Sequence, residues 1–207
     1  MYKIAYIDDQ DGQIRKVQRT VSADEIEASE IDLSTNPEEV IQQIIESDFD
    51  AVLIDYKLNE TRADIHYSGA DLARLLGQTL YNFPYFLLTS HSNDAEEEAE
   101  DVHRVYDRAE FYQNPQKLNR RIKMSIDHYR REIEKSETRL EELKAKESLS
   151  LLEEEELISL DDFLEKSISQ GGKIPKELKK TSHIDKMNEL LSAAQMILGE
   201  VKRQNDK

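Results

Sequence analysis

Short apolar runs alternate with amphipathic segments through the first half of the chain, and the alternation predicts its elements. Tyr2–Ile7 reads as a strand that stops at Asp8. Gln10–Thr20 follows as a helix, with Ile14, Val17 and Val21 at helical spacing. Ile26–Leu33 alternates weakly, as an edge strand does. Asn36-Pro37-Glu38-Glu39 is a helix start, with Asn as N-cap and Pro at the first position, and Val40, Ile41, Ile44 and Ile45 form one face. Ala51–Ile54 is continuously apolar, as expected of a parallel strand buried on both faces, and it stops at Asp55. After a long polar connection, Ser68–Leu80 returns to helix. Pro84–Leu88 predicts another buried strand ending at Thr89-Ser90, Asn93–Tyr106 a polar helix, and Glu110-Phe111-Tyr112 a last short strand before the helix that Asn114-Pro115 opens. A strand–helix unit repeated in this way predicts an α/β fold: a doubly wound, five-stranded parallel sheet over residues 1–127.

Residues 128–207 carry no strand signal and predict an all-α helical or coiled-coil region. Between Leu118 and Glu147, Ile126, Tyr129, Ile133, Leu140 and Leu143 give a short, imperfect coiled-coil seam. Ser150-Leu151-Leu152-Glu153 and Ser159-Leu160-Asp161-Asp162 both have the form of helix starts. Gly171-Gly172 ends that run. From Ser182 a last helix carries Ile184, Met187, Leu191, Ala194, Leu198 and Val201 as a regular stripe that must cover something. A helical hairpin or bundle that also pairs as a homodimer is the expectation.

Composition narrows the chemistry. The 207 residues contain no cysteine, which removes disulfides, thiolate metal sites and cysteine nucleophiles. No apolar stretch approaches the roughly 20 residues that span a bilayer, and no signal peptide is evident, so a cytoplasmic location is expected. The net charge is −16, and residues 1–117 hold 10 Lys/Arg against 25 Asp/Glu. So acidic a surface repels nucleic acid, and no DNA partner is expected. Lys117, Arg120, Arg121, Lys123, Arg130 and Arg131 form a local basic stripe, read as a solvated helix face or as a phosphate-contacting surface.

In a doubly wound sheet, ligands bind beyond the carboxyl ends of the strands. Asp8, Asp9, Asp55 and Thr89 all stand at such ends. Carboxylates converging there repel one another until a divalent cation is bound; Mg²⁺ takes oxygen ligands and keeps waters for an incoming phosphate. One carboxylate can then attack a phosphoryl donor, because transfer relies on positioning and charge neutralisation. Acidic residues at strand ends also cap helices, and Asp9 before the Gln10 helix is open to that reading. The five histidines are scattered, with no helical pair to suggest a metal site.

Ile4-Ala5-Tyr6-Ile7-Asp8-Asp9-Gln10, Ala51-Val52-Leu53-Ile54-Asp55 and Tyr85-Phe86-Leu87-Leu88-Thr89-Ser90 resemble the three signature segments of response-regulator receiver domains, over roughly residues 1–127. The resemblance implies a flavodoxin-like receiver. In it Asp55 is the phosphoacceptor, and Asp8 and Asp9 hold Mg²⁺ with Asp55 and the Lys57 backbone carbonyl. Thr89 is the switch hydroxyl that contacts a phosphoryl oxygen, and Phe111 is the switch aromatic. Receivers usually end the fifth strand in Lys-Pro; here Asn114-Pro115 puts an uncharged amide in the lysine slot. Lys117, or the longer 57–68 connection with Arg62 and His66, is the alternative source of a cation. The implied function is a two-component signal-transduction regulator, not an enzyme beyond self-phosphorylation and dephosphorylation at Asp55. A histidine kinase or phosphotransfer protein would phosphorylate it, and it would signal to a protein partner through residues 128–207. The alternative is a degenerate receiver that acts as a phosphorylation-independent scaffold.

Overall fold

Five parallel strands carry the core: β1 (Tyr2–Ile7), β2 (Ile26–Glu30), β3 (Ala51–Asp55), β4 (Tyr85–Thr89) and β5 (Val105–Asp107). Their order across the sheet is β2-β1-β3-β4-β5, with every neighbouring pair parallel. Among the described residues the α-helices are α1 (Gln13–Val21), α2 (Pro37–Glu46), α3 (Gly69–Thr79), α4 (Arg108–Gln113), α5 (Pro115–Lys144) and α6 (Leu151–Ser167). The structure is a computed structural model that describes residues 1–10, 12–90, 99 and 101–167.

Successive residues of a strand face opposite sides, so each buried strand feeds two apolar layers. Ile4, Tyr6, Ala51, Leu53, Phe86 and Leu88 pack with Val17 and Val21 of α1 and with Leu118, Ile122 and Ile126 of α5. Ala5, Ile7, Val52, Ile54 and Leu87 pack on the other face with Val40, Ile41 and Ile44 of α2 and Leu72, Ala73 and Leu76 of α3. The helix starts are chemically specified. Asn36 Oδ1 accepts the Glu38 N–H at 3.0 Å with Pro37 beside it. Ser68 and Asp71 cap each other reciprocally at the start of α3.

Three expectations from the sequence need correction. The fifth strand is Val105–Asp107, and Glu110-Phe111-Tyr112 is helical. Asp107 sets that boundary: its Oδ1 accepts the Glu110 N–H at 2.7 Å and caps α4, while Phe111 reaches the core from a helix face. The helix expected over 93–106 does not include its last residues, since Val102–Arg104 is a single 3₁₀ turn and Val105-Tyr106 belongs to β5; residues 93–98 and 100 lie outside the described residues. Ser159 starts no helix: it lies inside α6, where its hydroxyl donates to the Glu155 carbonyl at 2.9 Å. Ser150, in contrast, does cap α6, with its N–H and hydroxyl both on Glu153 Oε2 at 2.9 Å. The helix expected from Ser182 and the Gly171-Gly172 break lie outside the described residues.

The pairs Tyr129–Ser167, Arg139–Glu156 and Lys146–Glu153 show that α6 runs back antiparallel along α5. Leu140, Leu143 and Leu164 are buried along the hairpin. Its returning end meets the turn before β4: Tyr81 N–H donates to the Lys166 carbonyl at 2.8 Å, and the Tyr81 and Phe163 rings meet edge to face. The hairpin thus packs at the amino end of β4, away from the strand ends that carry the aspartates. The expected boundary at 127/128 falls within the continuous helix α5.

Gly69 is the tightest point of the fold near the site. Its N–H donates to the Tyr56 carbonyl at 2.8 Å, and a Cβ there would stand 2.0 Å from the Asp55 carbonyl oxygen. Gly69→Ala is predicted to destabilise the chain by about 3 kcal/mol, an overpacking cost against backbone that cannot move aside. Urea unfolding measures it; a midpoint within error of the parent would refute the close approach.

Candidate functional site

Strand order reverses between β1 and β3, and the acidic residues stand at that switch point. Asp8 and Asp9 follow β1, Asp55 ends β3 and Thr89 ends β4; all four are buried. Asp8, Asp9 and Asp55 each offer a carboxylate oxygen within 4.8 Å of the others. The sheet register, not proximity in sequence, makes this cluster: Ile7 pairs with Ile54 and Asp55 with Leu88.

The cation at this cluster is Arg108, a residue that the sequence pattern did not single out. It is the first residue of α4, directly after β5, and Thr89 pairs in register with its neighbour Asp107. Arg108 Nη2 donates to Asp55 Oδ1, and at 3.2 Å to Asp8 Oδ2. Asn114, expected in this position, instead joins α4 to α5, where its backbone N–H donates to the Glu110 carbonyl at 2.8 Å and its side chain makes no cap bond. Lys117 pairs with Glu110 at 2.6 Å. Phe111 is buried in the layer with Leu118 and Ile122, and it enters from a helix. A sequence signal for Arg108 existed: Asp107-Arg108-Ala109-Glu110 is a capping sequence, and a helix starting there forces the strand to end at Asp107.

The remaining hydrogen bonds shape each carboxylate differently. Tyr6, on the core face of β1, donates its hydroxyl to Asp8 Oδ2, and the Gln10 N–H donates to Asp8 Oδ1 at 2.8 Å. Asp9 does not cap α1, whose N-cap is Gly12 in the left-handed region at φ 88°. Asp9 Oδ2 instead accepts the Thr61 N–H at 2.5 Å, and the Thr61 hydroxyl donates to the Asp9 carbonyl. The 57–68 connection therefore brings Thr61 to the site, while Arg62 pairs with Asp64 at 2.7 Å and His66 is exposed. Leu58, Ile65 and Tyr67 are buried and pin that connection to the body of the fold. The Lys57 ammonium stands 3.9 Å from the Glu60 carboxylate, and its backbone carbonyl is two residues past the end of β3.

Burial and charge oppose each other here. Burial raises the Asp55 carboxyl from 3.8 to about 7; Arg108 pulls it down, and Asp8 and Asp9 push it up again. Burial works against the Arg108 charge, but Asp55, then Tyr6 and Asp8, raise its pKa overall. Burial first, and then Asp8, hold the Tyr6 phenol far above its ordinary range. One guanidinium among three carboxylates leaves a negative excess. Asp9 Oδ1 is buried with no hydrogen-bond partner among the described residues. An orphaned carboxylate oxygen beside two others is a donor set that fits a hard divalent cation such as Mg²⁺.

In metal-free buffer the raised pKa makes stability depend on pH with a definite sign. Asp55 ionises near pH 4 in the unfolded chain and near 7 in the folded one. Between those values the folded state keeps a proton that the unfolded state has lost, so stability falls as pH rises through the window and levels off above it. Asp55→Asn is predicted to flatten that fall. Urea midpoints of both proteins at pH 5 and pH 8 decide the matter, and parallel slopes would assign the effect to another group.

No family model matches the sequence, and no curated protein matches it either. Among solved structures, the chain is similar to a response regulator receiver domain protein from Clostridium thermocellum at 19% identity, covering 62% of this chain and 96% of that one with a TM-score of 0.46. It is similar to the response regulator protein TrrA from Thermotoga maritima, solved in complex with Mg²⁺-BeF, at 19% identity over 60% of this chain and 99% of that one, TM-score 0.45. The anti-anti-sigma factor PhyR from Bartonella quintana is similar at 13% identity over 65% of this chain and half of its own length, TM-score 0.48. The strand order β2-β1-β3-β4-β5 itself makes the sheet a flavodoxin-like, doubly wound one, followed by a helical region.

Proposed function

We propose that this chain is a two-component-type signalling regulator whose Asp55 accepts a phosphoryl group with Mg²⁺ and whose helical region passes the state to a protein partner. The observation that carries the reading is the set of Asp8, Asp9 and Asp55 oxygens within 4.8 Å, with the Arg108 guanidinium on Asp55. Asp8, Asp9 and Asp55 would hold the ion, with the Lys57 carbonyl as a further ligand; bound there, it supplies charge neutralisation for the transferred phosphoryl oxygens. The Asp55 carboxylate attacks phosphorus, an O–P bond forms, and the bond from phosphorus to the donor nitrogen or oxygen breaks, the donor group departing with the electron pair. Arg108 releases Asp55 and turns to the phosphoryl oxygens, a planar donor fork suited to that group. Thr89, at the end of β4, adds a hydroxyl contact. The kinase or phosphotransfer partner, the output through residues 128–207 and a homodimer belong to the same proposal.

A second reading has an observation of its own. Tyr6, Arg108 and Gln10 already engage Asp8, and Arg108 already engages Asp55, so the same groups form a closed ion-pair network. A chain that keeps this network permanently is a scaffold that binds partners without phosphorylation.

Acetyl phosphate with Mg²⁺ separates the two readings. Phosphorylation of wild type, measured by mass spectrometry, is expected at Asp55 and lost in Asp55→Asn. Arg108→Ala is predicted to lower the labelling rate roughly tenfold or more, through loss of a charge-assisted contact. No labelling of wild type, with Asp55→Asn binding its partner normally, would establish the scaffold instead.

A further inference from the structure

Orphaned polar atoms mark where a fold is built around something else, because buried donors and acceptors are nearly always paired. Among the described residues five side-chain atoms are buried without a partner: Asn119 Oδ1 and the Ser167 hydroxyl lie elsewhere on α5 and α6, while Asp9 Oδ1, Arg108 Nε and the Tyr112 hydroxyl belong to residues at or beside the acidic pocket. These last three differ in kind. Asp9 Oδ1 accepts and suits a cation. Arg108 Nε only donates, and the Tyr112 phenol can donate, so these two suit an anion. One site thus offers a place for each sign of charge, as a metal-bound oxyanion requires.

The sequence pattern gave Tyr112 no role beyond a place in the expected fifth strand. It lies one helical turn after Arg108 on α4, so the two residues share a face. Its ring is fixed by Phe111, 5.1 Å away between centroids, and by the Lys16 ammonium 3.7 Å above it. Burial raises the pKa of its phenol, and Arg108, Asp8 and Asp55 all act on it electrostatically, Arg108 against that rise and the two carboxylates with it. The other phenol of the site is unavailable, since the Tyr6 hydroxyl is spent on Asp8.

We infer that Tyr112 is an anion-binding residue of this site, donating its hydroxyl, alongside Arg108 Nε, to an oxygen of a phosphoryl group on Asp55. The inference rests on the phosphoacceptor reading and adds to it a donor from α4. It also gives that short helix a second tie to the phosphorylated state, one turn nearer to α5.

The test is calorimetric titration of the full chain, first with Mg²⁺ alone and then with beryllofluoride in saturating Mg²⁺. Tyr112→Phe keeps the ring and its packing. It is expected to leave Mg²⁺ affinity within about twofold and to weaken beryllofluoride roughly tenfold, the loss of one hydrogen bond to a charged acceptor. Arg108→Lys, which keeps the charge but removes Nε, is expected to weaken beryllofluoride similarly. Unchanged beryllofluoride affinity in Tyr112→Phe, or an equal loss of both ligands, would overturn the inference. A wild-type chain that takes Mg²⁺ but no beryllofluoride would overturn the phosphoacceptor reading itself, and this inference with it.

Discussion

Three carboxylates buried at adjoining strand ends repel one another, and the architecture around them is arranged to hold that repulsion in check. Arg108 bridges Asp55 and Asp8, Tyr6 rises from the core face of β1 to donate to Asp8, and the 57–68 connection brings Thr61 onto Asp9. Each neutralising group comes from a different part of the chain. The pocket therefore forms only when β1, β3 and β5 are in register and the connection after β3 is in place. Burial still outweighs the guanidinium at Asp55, whose carboxyl remains raised to about 7. A buried pair of this kind is weak evidence for stability, because removing charges from water offsets most of their attraction.

The same economy of space appears in the backbone. Gly69 opens α3 against the Asp55 carbonyl, so that the helix after the long connection starts where only a hydrogen atom fits. α4 follows β5 without a spacer, and α5 follows α4 across the single residue Asn114. Arg108 and Tyr112 are thus joined to the longest described helix by a few residues. α5 is held in turn at the amino ends of β1, β2 and β3. Tyr2 donates to Asp127, Arg130 pairs with Asp50 at 2.5 Å, and the buried Asn119 donates to Asp24 at 2.7 Å. One helix thus spans from the segment that carries Arg108 and Tyr112 to the α5–α6 hairpin.

Much of the fold was legible along the chain because its signals are local. Apolar runs that stop at Asp8, Asp55 and Thr89, the Asn36-Pro37 start and the Ser68–Asp71 cap each depend on neighbours within a turn, and the elements they predict are present. The acidic cluster followed from topology, since parallel strands present their carboxyl ends together. The fifth strand was misplaced because three half-buried residues, Val105–Asp107, carry too weak an apolar pattern to compete with Phe111-Tyr112 two turns of chain later. A period-based reading cannot separate a buried aromatic pair on a short helix from a short strand.

The amino-acid sequence by itself determined the alternating α/β order, the parallel sheet and the convergence of Asp8, Asp9 and Asp55 at its edge. Only the tertiary structure decided what stands opposite them. Arg108 replaces Asn114 as the residue on Asp55, Thr61 engages one oxygen of Asp9 and leaves the other unpaired, and the Tyr6 phenol is spent on Asp8. The physical reason is the range of the interactions. Hydrophobic period and helix capping act over a few residues and are written in order along the chain. A charge pair between Asp55 and Arg108 joins the end of one strand to the helix that follows another, and its existence depends on where β5 ends relative to β3 and β4, a register set by the packing of the whole sheet.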